Sequence, residues 1–187
     1  MRAVIPGRDE MTGLFRKAGY ELYEAGKEYA LPFRSLHYSP IYRMKVEGKN
    51  PVKAKALIDA NVEERNVLKA YFNDNGISDG LSFDKDLSSV IFDNGRVSAL
   101  MLCERIPGGL IVEYILTSRD HPEYLIDCLR VMDRYISKKA EAKEGLMLSF
   151  ATGHEKERNL VKRLSGGLMD PEEIIREYIA VKKIDAV

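Results

Sequence analysis

The stretch SSVIFDNGRVSALMLCERIPGGLIVEYILT, residues 88–117, holds two chain reversals between three runs of strand-forming residues. Asn94-Gly95 accepts the positive backbone dihedrals of a tight two-residue turn, so SSVIF and VSALMLCER pair as an antiparallel hairpin. Pro107-Gly108-Gly109 turns the chain again, and LIVEYILT adds a third antiparallel strand to make a meander. Alternation along that strand puts Ile111, Glu113, Ile115 and Thr117 on one face, with Glu113 between branched apolar neighbours.

Downstream, Leu125, Leu129, Met132 and Ile136 in SRDHPEYLIDCLRVMDRYISKKA, 118–140, recur at helical spacing opposite a charged face, which predicts a long amphipathic helix. LMLSFAT, after Gly145, is a strand that follows a crossover helix and can therefore pair parallel with its predecessor. EKERNLVKRLS, 155–165, is a further helix stopped at Gly166-Gly167, and IIREYIAVKKI is a closing strand. Upstream, IYRMKV, 41–46, reads as a strand. Pro51 then opens a helical pattern carried by Val52, Ala56, Leu57, Ala60, Val67, Leu68 and Tyr71, divided into two helices at Asn61. DNGISDG, 74–80, is a loop by composition.

The first residues repeat the last. VIPGRDEMTGLFRKAG, 4–19, lies over FATGHEKERNLVKRLS, 150–165, with Gly7 on Gly153, Asp9 on Glu155, Leu14 on Leu160, Phe15 on Val161 and Lys17 on Arg163, a constant offset of 146. In both copies a strand ends at glycine, an acid opens the helix, basic residues fill its last turn and a small residue stops it. Residues 1–36 are therefore expected to be the C-terminal remnant of one domain copy, and 37–187 a complete second copy.

Composition limits the function. The 187 residues are 45% hydrophobic and 31% charged, with 29 basic and 29 acidic side chains, so the chain folds without a net field that would draw it to nucleic acid or an anionic membrane. No apolar run reaches the roughly 20 residues of a spanning helix and no signal peptide is recognisable, so the expected compartment is the cytoplasm. Cys103 and Cys128 sit in apolar runs and read as buried hydrophobes. His37, His121 and His154 have no ligand spacing, so no metal is expected.

The element order resembles the GNAT family of acetyl-CoA-dependent N-acetyltransferases, and so does FRKAGYELYEAG, 15–26, which is similar to that family's closing helix and strand. The resemblance implies an α/β (α+β) fold, a GNAT-like mixed sheet with an antiparallel meander, a crossover helix and central strands that splay apart. It implies acetyl-CoA as cofactor, its pantetheine arm held by the backbone of Thr117 and Ser118 after the strand Leu110 to Thr117, and its pyrophosphate at the loop Ser118 to Pro122, which retains Arg119. It also implies a primary amine, on a small molecule or a peptide, as acceptor. Some members carry a basic glutamate on this strand, which makes Glu113 the catalytic candidate. A carboxylate desolvated between apolar neighbours is suited to taking a proton from an ammonium group, whereas on a wet face it would pair with a cross-strand Lys or Arg.

Two features depart from the family. TSRDHPEYL has no glycine in its loop, and Asp120 with Glu123 has the spacing of a capping box, which would consume the amides a diphosphate needs. The tyrosine that serves the family as general acid is replaced by Phe15 in one copy and Val161 in the other. The alternative to an acetyltransferase is thus a non-catalytic domain, a scaffold or a small-ligand or peptide binding module. The cut edge of the first copy is expected to dock on the second copy, or on another chain in a homodimer built through the N-terminal segment.

Overall fold

The computed structural model describes the chain except residues 1, 7–8, 41, 44–51, 78–82, 107–108, 119, 122, 139–144, 152–154, 168–171 and 183–187. In chain order its elements are β1 (Arg2–Pro6), α1 (Asp9–Lys17), β2 (Glu21–Pro32), a 3-10 segment (Phe33–Tyr38), β3 (Lys55–Ala56), a 3-10 turn (Leu57–Asp59) and α2 (Val62–Asp74). There follow β4 (Ser89–Asp93), β5 (Arg96–Ile106), β6 (Gly109–Thr117), α3 (Tyr124–Lys138), β7 (Met147–Phe150), α4 (Glu155–Leu164) and β8 (Glu172–Val181). The strands form one mixed sheet in the order β1-β8-β2-β7-β6-β5-β4-β3.

The meander forms as its turn chemistry dictates. Asn94 and Gly95 both take positive φ, 50° and 72°, the geometry that matches a tight turn to strand twist. β4, β5 and β6 pair antiparallel, and β6 pairs parallel with β7 after the α3 crossover. Side chains alternate between two cores, one on each face. Ala99, Met101, Cys103, Leu110, Val112, Leu148 and Phe150 meet α3 and α4. Val90, Leu100 and Leu102 meet Leu57, Ala60 and Leu68 on the other side. The stripe Leu125, Leu129, Met132 and Ile136 is buried as its spacing predicts, but Ile126, Asp127 and Arg130 are buried as well. The chain around Tyr42 and Lys53 covers α3 from outside: the Tyr42 hydroxyl donates to Asp133 Oδ2 at 2.9 Å, and the Lys53 amide lies 3.5 Å from Asp127 Oδ2.

Two upstream expectations are corrected. Within 41–46, Tyr42 and Arg43 are helical, with the Tyr42 ring buried; residues 44–46 lie outside those described. The helix expected from Pro51 is replaced by the short β3 and a 3-10 turn, in which the Ala60 amide bonds Leu57 O at 3.2 Å. With three residues per turn, Leu57 and Ala60 reach the same core that an α-helical spacing would have given them. Asn61 opens α2 with a capping box, its Oδ1 accepting from Glu64 N and its amide donating to the Glu64 carboxylate, both at 2.9 Å.

The two ends of the chain interlock. β8 pairs antiparallel with both β1 and β2, and β2 with both β8 and β7. Thus β1-α1-β2 leaves a slot one strand wide that β8 fills, and β7-α4-β8 leaves an equal slot that β2 fills. The order β1-β8-β2-β7 reads the same from either end when one unit is exchanged for the other. The helices end alike too. Tyr20 N bonds Phe15 O at 3.0 Å and Gly19 N bonds Arg16 O at 3.0 Å; Gly167 N bonds Lys162 O at 2.9 Å and Gly166 N bonds Arg163 O at 3.0 Å. Gly19 and Gly166 take positive φ, 82° and 71°. At these ends the offset is 147 rather than 146, because α4 is one residue longer than α1.

Candidate functional site

Strands β6 and β7 part company halfway along. Their register runs from Gly109–Met147 to Val112–Phe150, and the Ala151 amide adds one bond to Val112 O at 3.0 Å. From Tyr114 to Thr117, β6 continues paired to β5, with no β7 partner among the described residues. At that end of the sheet β6 runs on past the end of β7, where the resemblance implies a splay.

At the parting point β6 carries a bulge. Cys103 faces Val112 and Leu102 faces Tyr114, so Glu113 is the extra residue and has no β5 counterpart. This corrects the alternation read from LIVEYILT. The pleat restarts after Glu113, so Ile115 packs with Leu110 and Val112 in the α3-side core while Tyr114 and Leu116 join the opposite one. Ile111 and Ile115 therefore face opposite sides. Glu113, Thr117 and Ser118 are all half-buried along the parting edge, and Arg119 lies outside the described residues.

The loop from β6 into α3 is closed by its own bonds. The Asp120 amide donates to Ser118 Oγ at 3.2 Å, His121 N to Ser118 O at 3.3 Å and Tyr124 N to His121 O at 3.1 Å. Ile126 and Asp127 already give their amides to Glu123 O, at 3.1 and 3.3 Å. A diphosphate held at a helix start needs such donors unspent, and here it would also meet the Asp120 and Glu123 carboxylates. The described residues of this loop, which do not include Arg119 and Pro122, do not fit the coenzyme's pyrophosphate.

Beside the loop lies a cluster that the sequence reading did not single out. His121 Nδ1 is 3.1 Å from Glu123 Oε1, and the imidazole stacks on Tyr124 at 4.6 Å between centroids. Lys53 reaches the same ring from a segment 71 residues away, its Nζ 3.3 Å from the phenol oxygen and 5.0 Å above the ring centre. The bond to the phenol holds the Lys53 ammonium above its ordinary pKa. A His-Pro-Glu triplet before a helix was the available signal for His121 and Glu123; for Lys53 there was none.

The other candidates fall into structural roles. Val161 is buried in the core and Phe15 packs edge-on against Tyr20 at 5.0 Å, and neither of these two side chains carries a proton to donate. Tyr114 and Tyr71 share a hydrogen bond at 2.9 Å between their hydroxyls. Burial pushes the Cys128 thiol up to about 12 and raises that of Cys103. Among the described residues no group of three His, Cys, Asp or Glu could hold a metal ion, and no helix is long and apolar enough to cross a membrane.

No protein-family model matches this chain, nor does any curated protein sequence. Solved structures do match. The C-terminal DUF2156 domain of a putative lysylphosphatidylglycerol synthetase from Agrobacterium fabrum is similar at a TM-score of 0.58 and 13% identity, over 97% of this chain and 67% of that one. L-PGS from Bacillus licheniformis gives a TM-score of 0.53 at 13% identity, over 96% and 68%. A GCN5-related N-acetyltransferase from Kribbella flavida gives 0.47 at 15% identity, over 96% and 66%. This chain thus spans about two thirds of the length of these three structures. The fold is GNAT-like, a mixed sheet with antiparallel meander, crossover helix and splayed central strands.

Proposed function

We propose that residues 37–187 form a lobe of acyltransferase fold that has given up the coenzyme site, and that residues 1–36 are the closing unit of a preceding lobe whose last strands are exchanged with it. The lobe acts as a scaffold within a two-lobed transferase. The observation that carries this reading is the state of the loop at 118–124, where Asp120, His121 and Tyr124 all spend their amides on neighbouring oxygens. The proteins of this fold carry names from more than one transfer chemistry, so the fold leaves the donor open.

Titration with acetyl-CoA, followed by thermal midpoint, tests it. A ligand at a hundredfold its dissociation constant adds about 2.7 kcal/mol, which moves the midpoint of a chain this size by several degrees. No shift up to millimolar acetyl-CoA is expected. A saturable shift of that size would overturn the reading.

The bulge at Glu113 favours a second reading. A half-buried carboxylate on the parting edge of a splayed sheet is suited to receiving the proton of a primary amine, on a small molecule or a peptide, during attack on an acyl donor recognised elsewhere. Under this reading Glu113→Gln lowers amine acylation by at least a hundredfold without unfolding the protein. Equal rates for the two proteins would reject it. The homodimer through the N-terminal segment remains part of the proposal, since β1 is the last strand of the sheet. Sedimentation equilibrium at the monomer mass would remove it.

A further inference from the structure

On the face of the sheet away from α3, a cleft of about 480 Å³ opens between α2 and the turn at Leu57, within the range of small-molecule sites. Its floor is apolar. Leu57 and Leu68 are buried, and Phe72 and Phe83 meet edge to face at 5.9 Å. Ile58, 49% exposed, carries that surface out to solvent. Its rim is cationic: Arg65 and Lys69 lie one turn apart on α2, Lys85 joins them, and no carboxylate is among the described residues lining it. The Arg65 guanidinium is fixed in place by Ala60 O at 2.8 Å and Ile58 O at 3.2 Å.

The two halves of this lining call for different parts of one ligand. Three cations around an apolar hollow repel one another when it is empty, and an anion relieves that repulsion. An inorganic anion alone would leave the leucines and phenylalanines wet, whereas an uncharged apolar solute would leave the rim's positive charge without a counter-charge. We propose that this cleft binds a single-chain anionic amphiphile. The chain lies against Leu57, Leu68, Phe72 and Phe83, and the head sits among Arg65, Lys69 and Lys85. The site is separate from the parting of β6 and β7 and does not depend on the reading given for it.

The test is calorimetric titration of the whole chain with dodecyl phosphate below its micelle concentration, beside hexyl phosphate, dodecyltrimethylammonium and inorganic phosphate. One-to-one saturation is expected for dodecyl phosphate, with affinity rising about fourfold per added methylene until the chain outgrows the cleft. The double variant Lys69→Glu, Lys85→Glu changes two exposed side chains, so its fold, checked by circular dichroism, should persist while affinity falls at least tenfold. Equal binding of the ammonium amphiphile, equal binding of inorganic phosphate, or an unchanged double variant would overturn the proposal. So would binding to phosphatidylglycerol vesicles without binding of the monomeric amphiphile, which would mark a membrane surface instead.

Discussion

Deletion of Glu113 takes out the one residue that the β5–β6 register skips, and the cross-strand pairs on either side survive it: Val112 keeps Cys103 and Tyr114 keeps Leu102. The bulge becomes a regular ladder. Ile115 stays in the α3-side core, Tyr114 and Leu116 stay in the other, and the Tyr71–Tyr114 bond is kept. Were β6 an unbroken alternation, the same deletion would turn Tyr114, Ile115 and Leu116 to the wrong faces. For three half-buried side chains that costs about 1 kcal/mol each, and the lost hydroxyl bond about 1 kcal/mol more. Against a total stability of about 5–15 kcal/mol, a loss near 4 could not be overlooked. The expected result is a change within about 1 kcal/mol, with unaltered slope, in urea unfolding followed by circular dichroism. A loss of 3 kcal/mol or more would refute the register argument and the bulge with it.

Asn61→Ala should cost about 1 kcal/mol in the same assay, the usual worth of an N-cap, because Glu64 N loses its acceptor. Glu64 is held below the ordinary carboxyl pKa first by Lys55 at 2.7 Å and then by the Asn61 amide. A depressed carboxyl contributes stability above its unfolded value near 4.5 and loses it as pH falls through the folded value, so the parent should lose stability more steeply below that pH than Lys55→Met. Gly166→Ala should cost about 2–4 kcal/mol by thermal melting, since it combines positive φ with a Cβ 3.1 Å from Tyr38 O and 3.2 Å from Pro40 Cδ. Gly19→Ala, whose Cβ meets only Lys182 Cε at 3.9 Å, should cost about 1–2; equal losses would contradict the packing at Gly166. With Cys128 pushed up to about 12, only about one thiol in ten thousand is ionised at pH 8, so Ellman's reagent should label the native protein at least about a thousandfold more slowly than the urea-unfolded chain.

Local chemistry made most of the fold legible. Asn94-Gly95, the stripe from Leu125 to Ile136 and the glycines after α1 and α4 each specify structure within a few residues, and the hairpin, α3 and the helix stops follow from them. What was not legible depends on distant partners or on equal spacings. Leu57 and Ala60 are three apart, which suits an α-helix and a 3-10 turn equally well. Asn61-x-x-Glu64, a pattern that Asp120-x-x-Glu123 shares, closes a capping box at the start of α2. Pro122 disfavours helical backbone at His121, and α3 begins only at Tyr124. The bulge at Glu113 has no mark of its own in LIVEYILT, because it exists only in the register against β5. Lys53 joins His121 and Tyr124 through tertiary contact alone.

The exchange of end strands binds β1-α1-β2 and β7-α4-β8 more closely than side-by-side packing would. β2 lies between β8 and β7, and β8 lies between β1 and β2, so withdrawing either unit opens the sheet on both sides of the strand removed. The longest ladders at this junction, from Glu21–Val181 to Ala30–Glu172, join residues more than 140 positions apart. Such pairing is costly to close and is rewarded only when nearly the whole chain is present. An arrangement of this kind is hard to acquire one unit at a time, whereas two copies of a strand-helix-strand unit that leave identical one-strand slots can fill each other at once. The matching bonds at the ends of α1 and α4, at one offset in sequence, are what the two units proposed above would share.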